Sequence, residues 1–224
     1  MITLFPAPRA ALLAAGLLLI GFGGVWALHS GGAWSSVAAQ FALDLQVTTA
    51  AHRFSEATLL GLVALWGGLA VTLLSTCRTT ALTTLSVGGL GAVVAYGASE
   101  ALKALIEATR PCQNSAVEVA TCPGIGSMAY PSNHTVIAAA LASALVLTRP
   151  RLAWIAVILA AATGAGRVLA GHHYPHDVIA GAGLGVTVTW AVVLLLSPLT
   201  LSVTSRFLSQ HWDSLTPRPG SSIS

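Results

Sequence analysis

Six apolar runs constrain this chain more than any other feature. They lie at about 10–28, 57–76, 80–102, 134–149, 151–170 and 177–197. Each is close to the roughly 20 residues a helix needs to cross the hydrocarbon of a bilayer. A segment inside lipid must satisfy its own backbone N–H and C=O groups, so the predicted fold is all-α, a polytopic bundle of six transmembrane helices. The fourth run is short, and only Thr148-Arg149-Pro150-Arg151 separates it from the fifth, where proline interrupts a helix.

Composition agrees. Of 224 residues, 55% are hydrophobic and only 8% charged, against about a quarter charged in a soluble domain. Mean hydropathy is +0.80. The 22 glycines suit close helix packing in lipid. A net charge of +3 invites a nucleic-acid reading, but the ten Lys and Arg residues are scattered and form no basic stripe. Membrane topology accounts for them better.

No repeat or second domain interrupts residues 1–208, and the polar, Pro- and Gly-containing stretch 209–224 reads as an unstructured tail. The first run has Arg9 before it and small residues near Ser30, as a cleaved signal peptide would. Its apolar stretch exceeds a typical signal core, so it reads as a retained span.

Basic residues near span ends orient the bundle. With the N-terminus in the cytoplasm, Arg9, Arg78, Arg149, Arg151, Arg206 and Arg218 lie inside, and Arg53, Lys103, Arg110 and Arg167 outside. Three of the outer four belong to the polar segments described next; setting those aside leaves six against one. Both termini are then expected to be cytoplasmic.

Three polar segments break the apolar pattern: Lys103–Pro111 (KALIEATRP), Pro131-Ser132-Asn133-His134, and Gly166–Asp177 (GRVLAGHHYPHD). On the predicted topology all three meet at the extracytoplasmic face. Charged groups are costly at membrane depth, and their concentration beside spans points to a site. Lys103, the only lysine in the chain, and Arg110 lie nearly two helical turns apart. Arg offers a planar fork to phosphate oxygens and Lys a point charge, although such a pair alone also anchors a helix end at headgroups. Ser132 and Asn133 open the fourth span, where free N–H groups and the helix dipole favour an anion; Ser at that place is equally an ordinary N-cap. Asp177 beside His173 can fix its tautomer and leave the other nitrogen free to attack, or act simply as a first-turn acid. His172 and His176 read as bystanders. A metal site built from His172, His173, His176 and Asp177 is disfavoured, because these spacings around Pro175 match no usual ligand frame.

Together these segments resemble the type 2 phosphatidic acid phosphatase family, whose pattern is Lys-x6-Arg-Pro, then Pro-Ser-Gly-His, then Ser-Arg-x5-His-x3-Asp. Lys103, Arg110 and Pro111 match the first element; Pro131, Ser132 and His134 the second; Arg167, His173 and Asp177 the third. Asn133 stands where Gly is usual, and Gly166 where Ser is usual. The resemblance covers about residues 80–200, the expected catalytic core. It implies a membrane lipid phosphatase working through a phosphohistidine. His173 would attack phosphorus, Asp177 would hold its imidazole, and His134 would protonate the leaving oxygen and then activate water. Lys103, Arg110, Arg167 and the N–H groups at Ser132 and Asn133 would hold the phosphate oxygens. Protein cations would do what a metal does elsewhere, so no metal or other cofactor is expected.

The implied substrate is a lipid phosphate or diphosphate whose tail stays in the bilayer. Undecaprenyl diphosphate is the first choice; phosphatidylglycerophosphate and phosphatidic acid are alternatives. A lipid phosphotransferase would carry the same residues, and a non-enzymatic lipid-phosphate transporter is the rival from another class. Compactness and orientation suggest a bacterial inner-membrane protein with its site facing the periplasm or exterior. Cys112 and Cys122 fall in the outer loop, where disulfides persist, and are expected to be bridged, whereas Cys77 lies at the cytoplasmic end of the second run and is expected to be free. Trp34, Val37, Phe41 and Leu45 recur at helical spacing after the first run, which predicts an amphipathic interfacial helix.

Overall fold

The computed structural model describes residues 7–29 and 32–215, among which there are eight α-helices and no strand. They are α1 (Ala7–Leu28), α2 (Gly32–Asp44), α3 (Thr48–Ser75), α4 (Thr79–Ile106), α5 (Pro111–Asn114), α6 (Asn133–Thr148), α7 (Ala153–Leu169) and α8 (Pro175–Leu215). Every one of the six apolar runs is helical. Four stretches are long and apolar enough to cross a membrane: Thr48–Ser75, Thr79–Asn114, Pro150–Leu169 and Pro175–Leu196. The apolar part of α1, Leu13–Trp26, and the whole of α6 are shorter. Helix α8 continues to Leu215, into the stretch read as a tail; residues 216–224 lie outside the described residues.

Helix α6 explains its own brevity. Its 16 residues rise about 24 Å, less than the ~30 Å of bilayer hydrocarbon. Ten of its residues, from Thr135 to Leu145, are buried, and helices α3, α4, α7 and α8 surround it. A helix apolar on every side belongs in the middle of a bundle. Helix α8 packs on α1, α4 and α6, while α3 packs chiefly on α7. Large apolar side chains such as Leu19, Leu60, Val71, Val93 and Trp154 point outward, as a lipid-facing surface requires.

Close approaches fix the two contacts nearest the polar segments. A Cβ added at Gly181 of α8 would come 2.7 Å from the Ser132 carbonyl oxygen. One added at Gly166 of α7 would meet Ser55 Cβ of α3 at 2.8 Å. Small residues there let backbones touch. Helix α4 stops at Glu107, which takes the left-handed conformation (φ 47°) and donates its N–H to Lys103 O. The chain beyond it is pinned by a Cys112–Cys122 disulfide, by the Cys112 N–H on Gly171 O (3.0 Å) and by the Ala129 N–H on Ala108 O (2.8 Å).

Helix α2 is the predicted amphipathic segment. Ser35, Ala39, Ala42 and Leu43 face the bundle, while Trp34, Val37, Phe41 and the following Leu45 are exposed.

Candidate active site

The turn before α8 and the first turn of α8 carry a deeply buried titratable pair. His173 is 2% exposed and Asp177 wholly buried. His173 Nδ1 lies 3.4 Å from Asp177 Oδ2, and Arg110 Nη1 lies 3.1 Å from His173 Nε2. Arginine only donates, so Nε2 must accept and the ring proton sits on Nδ1, toward Asp177. Burial pushes the His173 imidazole down to about 4, against the pull of Asp177 and with help from Arg110. The ring is therefore neutral at physiological pH, with its Nε2 lone pair turned away from the carboxylate.

Asp177 is itself fixed. Its Oδ2 accepts the Tyr174 N–H at 2.8 Å, and His176 Nε2 stands 3.0 Å from Oδ1. Ser35 of α2 completes this set: its Oγ lies 2.8 Å from His176 Nδ1 and accepts the His176 N–H at 3.3 Å. A carboxylate only accepts, so with Asp177 Oδ1 opposite Nε2 the Ser35 hydroxyl donates to Nδ1. The His176 proton then sits on Nε2, facing Asp177.

Arg110 spends its guanidinium on the protein. Nε donates to Ser127 O (3.0 Å), Nη2 to Ser127 Oγ and Met128 O, and Nη1 to His172 O and His173 Nε2. Five N–H groups meet five acceptors. In this arrangement Arg110 ties the stretch just after the disulfide-closed loop to the histidine segment, and it reaches a new acceptor only by giving up an old one.

The other two cations are each paired with a carboxylate. Lys103 Nζ lies 3.2 Å from Glu100 Oε1. Asn133 Nδ2 donates to that same oxygen at 2.6 Å, and Asn133 Oδ1 accepts from Ser99 Oγ at 2.7 Å. Asn133 thus ties α6 to α4 through the partner of Lys103. Arg167, 4% exposed, reaches His52 Nδ1 at 3.2 Å and Glu56 Oε1 at 3.4 Å. Its Nε is buried with no acceptor among the described residues.

His134 Nε2 lies 2.9 Å from Glu56 Oε1. Ser132, wholly buried, gives its N–H to Asp177 O at 3.1 Å, and its Oγ accepts from Thr135 Oγ1 at 3.2 Å. It holds the N-cap position of α6 without capping by side chain, so the first-turn N–H groups that follow are left uncapped.

Lys103, Arg110, Ser132, Asn133, His134, Arg167, His173 and Asp177 therefore gather at one end of the bundle, held at the C-termini of α4 and α7 and at or just before the N-termini of α5, α6 and α8. Five further residues join them that sequence reasoning passed over or set aside. His52 and Glu56 come from α3, and their i, i+4 spacing was a usable signal that the apolar run starting near 57 concealed. Glu100 lies just before the first polar segment, three residues ahead of Lys103. His172 and His176 are buried rather than peripheral. The His172 Nε2 meets Thr121 Oγ1 at 3.0 Å and its ring packs 5.1 Å from that of His52. Burial, then Arg167 and His52, push the His172 imidazole down to about 3.

Fold and site together define a polytopic helical protein with a buried histidine–carboxylate pair and a ring of cations at one end. The profile of the PAP2 superfamily matches residues 84–200, more than half of the chain, and the chain belongs to that superfamily. It is 37% identical over 57 residues to undecaprenyl-diphosphatase BcrC of Bacillus subtilis (strain 168), 25% of this chain and 30% of that one. It is 32% identical over 102 residues to decaprenylphosphoryl-5-phosphoribose phosphatase of Mycobacterium tuberculosis (strain ATCC 25618 / H37Rv), covering 46% and 55%. It is 41% identical over 69 residues to undecaprenyl-diphosphatase of Sulfolobus acidocaldarius, covering 30% and 34%. The matched segments thus span between about a third and about half of those relatives' lengths. The crystal structure of a transmembrane PAP2 type phosphatidylglycerolphosphate phosphatase from Bacillus subtilis superposes with a TM-score of 0.50 at 22% identity, covering 92% of this chain and 98% of that one. At that identity the likeness speaks for the fold alone.

Proposed function

We propose that this protein is a membrane lipid phosphatase that works through a phosphohistidine on His173. The observation that carries this is the His173 ring itself: neutral, buried, with Nδ1–H toward Asp177 and an Nε2 lone pair held, among the described residues, by Arg110. In the first step Nε2 attacks phosphorus and the ester or anhydride oxygen leaves with a proton from His134. Asp177 stabilises the imidazolium that forms. In the second step His134 takes a proton from water, whose oxygen displaces Nε2. Arg110 Nη1, freed once Nε2 bonds to phosphorus, turns to a phosphate oxygen. Lys103, Arg167 with its unfilled Nε–H, and the uncapped first turn of α6 at Asn133 hold the others, beside Ser132. Such positioned charge is most of the catalysis in phosphoryl transfer. These groups supply it without a metal.

The substrate is a lipid phosphate, with undecaprenyl diphosphate the first choice. The relatives that bear the name undecaprenyl-diphosphatase support it. So does an apolar cavity of about 460 Å³ between α6, α7 and α8, lined by Thr135, Ala139, Val157, Ala160, Ile179 and Trp190. It runs along the bundle from Thr135, the residue after His134, as a tail anchored by its headgroup would. Six spans, cytoplasmic termini and a site at the extracytoplasmic face complete the reading, supported by the six-against-one bias of basic residues.

Phosphate release from undecaprenyl diphosphate by purified protein in detergent with excess EDTA tests it. The wild type should release phosphate and His173→Ala should release none. Silence of the wild type across undecaprenyl diphosphate, phosphatidylglycerophosphate and phosphatidic acid would sink the enzyme reading.

A further inference from the structure

We propose that Glu56 is the positioning carboxylate of His134, serving that imidazole as Asp177 serves His173. The inference rests on the reading of His134 as the acid and base of the reaction. A carboxylate only accepts hydrogen bonds, so the 2.9 Å contact from Glu56 Oε1 to His134 Nε2 puts a proton on Nε2. The nitrogen left to exchange protons with substrate and water is then Nδ1. The two histidines become mirror cases: His173 is held at Nδ1 and reacts at Nε2, and His134 is held at Nε2 and reacts at Nδ1.

Glu56 is well placed for this because α3 is locked to α7 around it. Ser55 Oγ donates to Thr163 O at 2.9 Å, and Thr58 Oγ1 lies 2.9 Å from Thr163 Oγ1. Gly166 lets the helices touch: a Cβ there would stand 3.0 Å from Ala51 O and 2.8 Å from Ser55 Cβ. Arg167 Nη1 braces the same carboxylate oxygen at 3.4 Å. The helix that carries Glu56 is thus fixed against α7 and its carboxylate is braced by a cation from that helix, while the His134 ring remains partly exposed.

The proton accounting closes. To act as the acid His134 must enter the reaction as an imidazolium, its charge balanced by Glu56. As the His173 Nε2 lone pair forms the N–P bond and the P–O bond breaks, the leaving oxygen takes the Nδ1 proton. His134 is left neutral, its Nε2–H still on Glu56. Water then gives a proton to Nδ1 as its oxygen bonds to phosphorus, and the N–P electrons return to His173. Without Glu56 the ring can turn or hold the other tautomer, and the acid is weakened.

Leaving groups expose this. An alkoxide needs the proton, whereas p-nitrophenolate leaves without it. Single-turnover release from a long-chain alkyl phosphate in mixed micelles and from p-nitrophenyl phosphate would be compared in the wild type, Glu56→Ala, Glu56→Gln and His134→Ala. Glu56→Ala should slow the alkyl ester about tenfold to a hundredfold, short of the full contribution of a general acid. It should slow the aryl ester less than about threefold, and Glu56→Gln, which keeps an acceptor oxygen, should fall between. Retained aryl turnover shows that the variant is folded. Equal losses on both esters in Glu56→Ala would overturn the assignment. If His134→Ala also treats the two esters alike, the reading of His134 as the acid fails. If His134→Ala discriminates and Glu56→Ala does not, only the Glu56 assignment fails.

Discussion

In the proposed mechanism His173 must attack phosphorus as a neutral base, and its burial keeps the ring neutral at a cost paid in acid. Its imidazole lies at about 4 and that of His172 at about 3, while an unfolded histidine titrates near 6.5. Below pH ~6.5 the unfolded chain binds protons that the folded chain refuses, so stability falls as pH drops. The loss begins near 6.5 and ends only below the folded values of about 4 and 3. At full effect each group contributes about 1.4 kcal/mol per pH unit. Thermal unfolding in detergent should show the midpoint falling through this window, and His172→Gln should flatten the slope. A midpoint unchanged from pH 7 to 4.5 would contradict the buried neutral state. Asn133 makes a different point at the same scale. In place of the family glycine it adds two hydrogen bonds, to Ser99 and Glu100, and so sets where Lys103 finds its counter-charge.

Between elements, the connection from α4 to α6 matters most, since Arg110 sends three of its five hydrogen bonds into residues 127 and 128. Closing a loop of this size by a disulfide is worth about 3 kcal/mol in the chain-entropy view. Reduction of Cys112–Cys122, or a Cys112→Ser/Cys122→Ser variant, should therefore loosen the seat of Arg110. Phosphatase activity should fall severalfold on adding reductant to the wild type and be insensitive to reductant in the double variant. Sensitivity of the double variant would place the effect elsewhere. The elements themselves were largely legible: each apolar run is a helix, and the helical spacing of Trp34, Val37 and Phe41 marked α2. Legibility ended where hydropathy did. Helix α3 begins at Thr48, but His52, Arg53, Ser55 and Glu56 interrupt the apolar pattern and pushed the expected start to about 57. The partners of Arg167 and His134 lay hidden in that interruption. Ser35 of α2 and His176, 141 residues apart, carry no sequence signal of their meeting, because only packing brings them together.

For the whole molecule, the site lies at the end of the bundle where α3 and α8 begin, and Cys77 lies past the far end of α3. The 28 residues of that helix span about 42 Å, more than the ~30 Å of bilayer hydrocarbon. Cys77 is exposed and free, while Cys112 and Cys122 are consumed by their disulfide. The native protein thus carries one reactive thiol on the side opposite its proposed site. A membrane-impermeant maleimide should leave Cys77 unmodified in intact spheroplasts and label it in inverted membrane vesicles. Phosphate release from a lipid phosphate confined to the outer leaflet should then occur with the label present or absent. Labelling from outside would invert the bundle. The cations around His173 would then face the cytoplasm, and the six-against-one bias of basic residues would have misled.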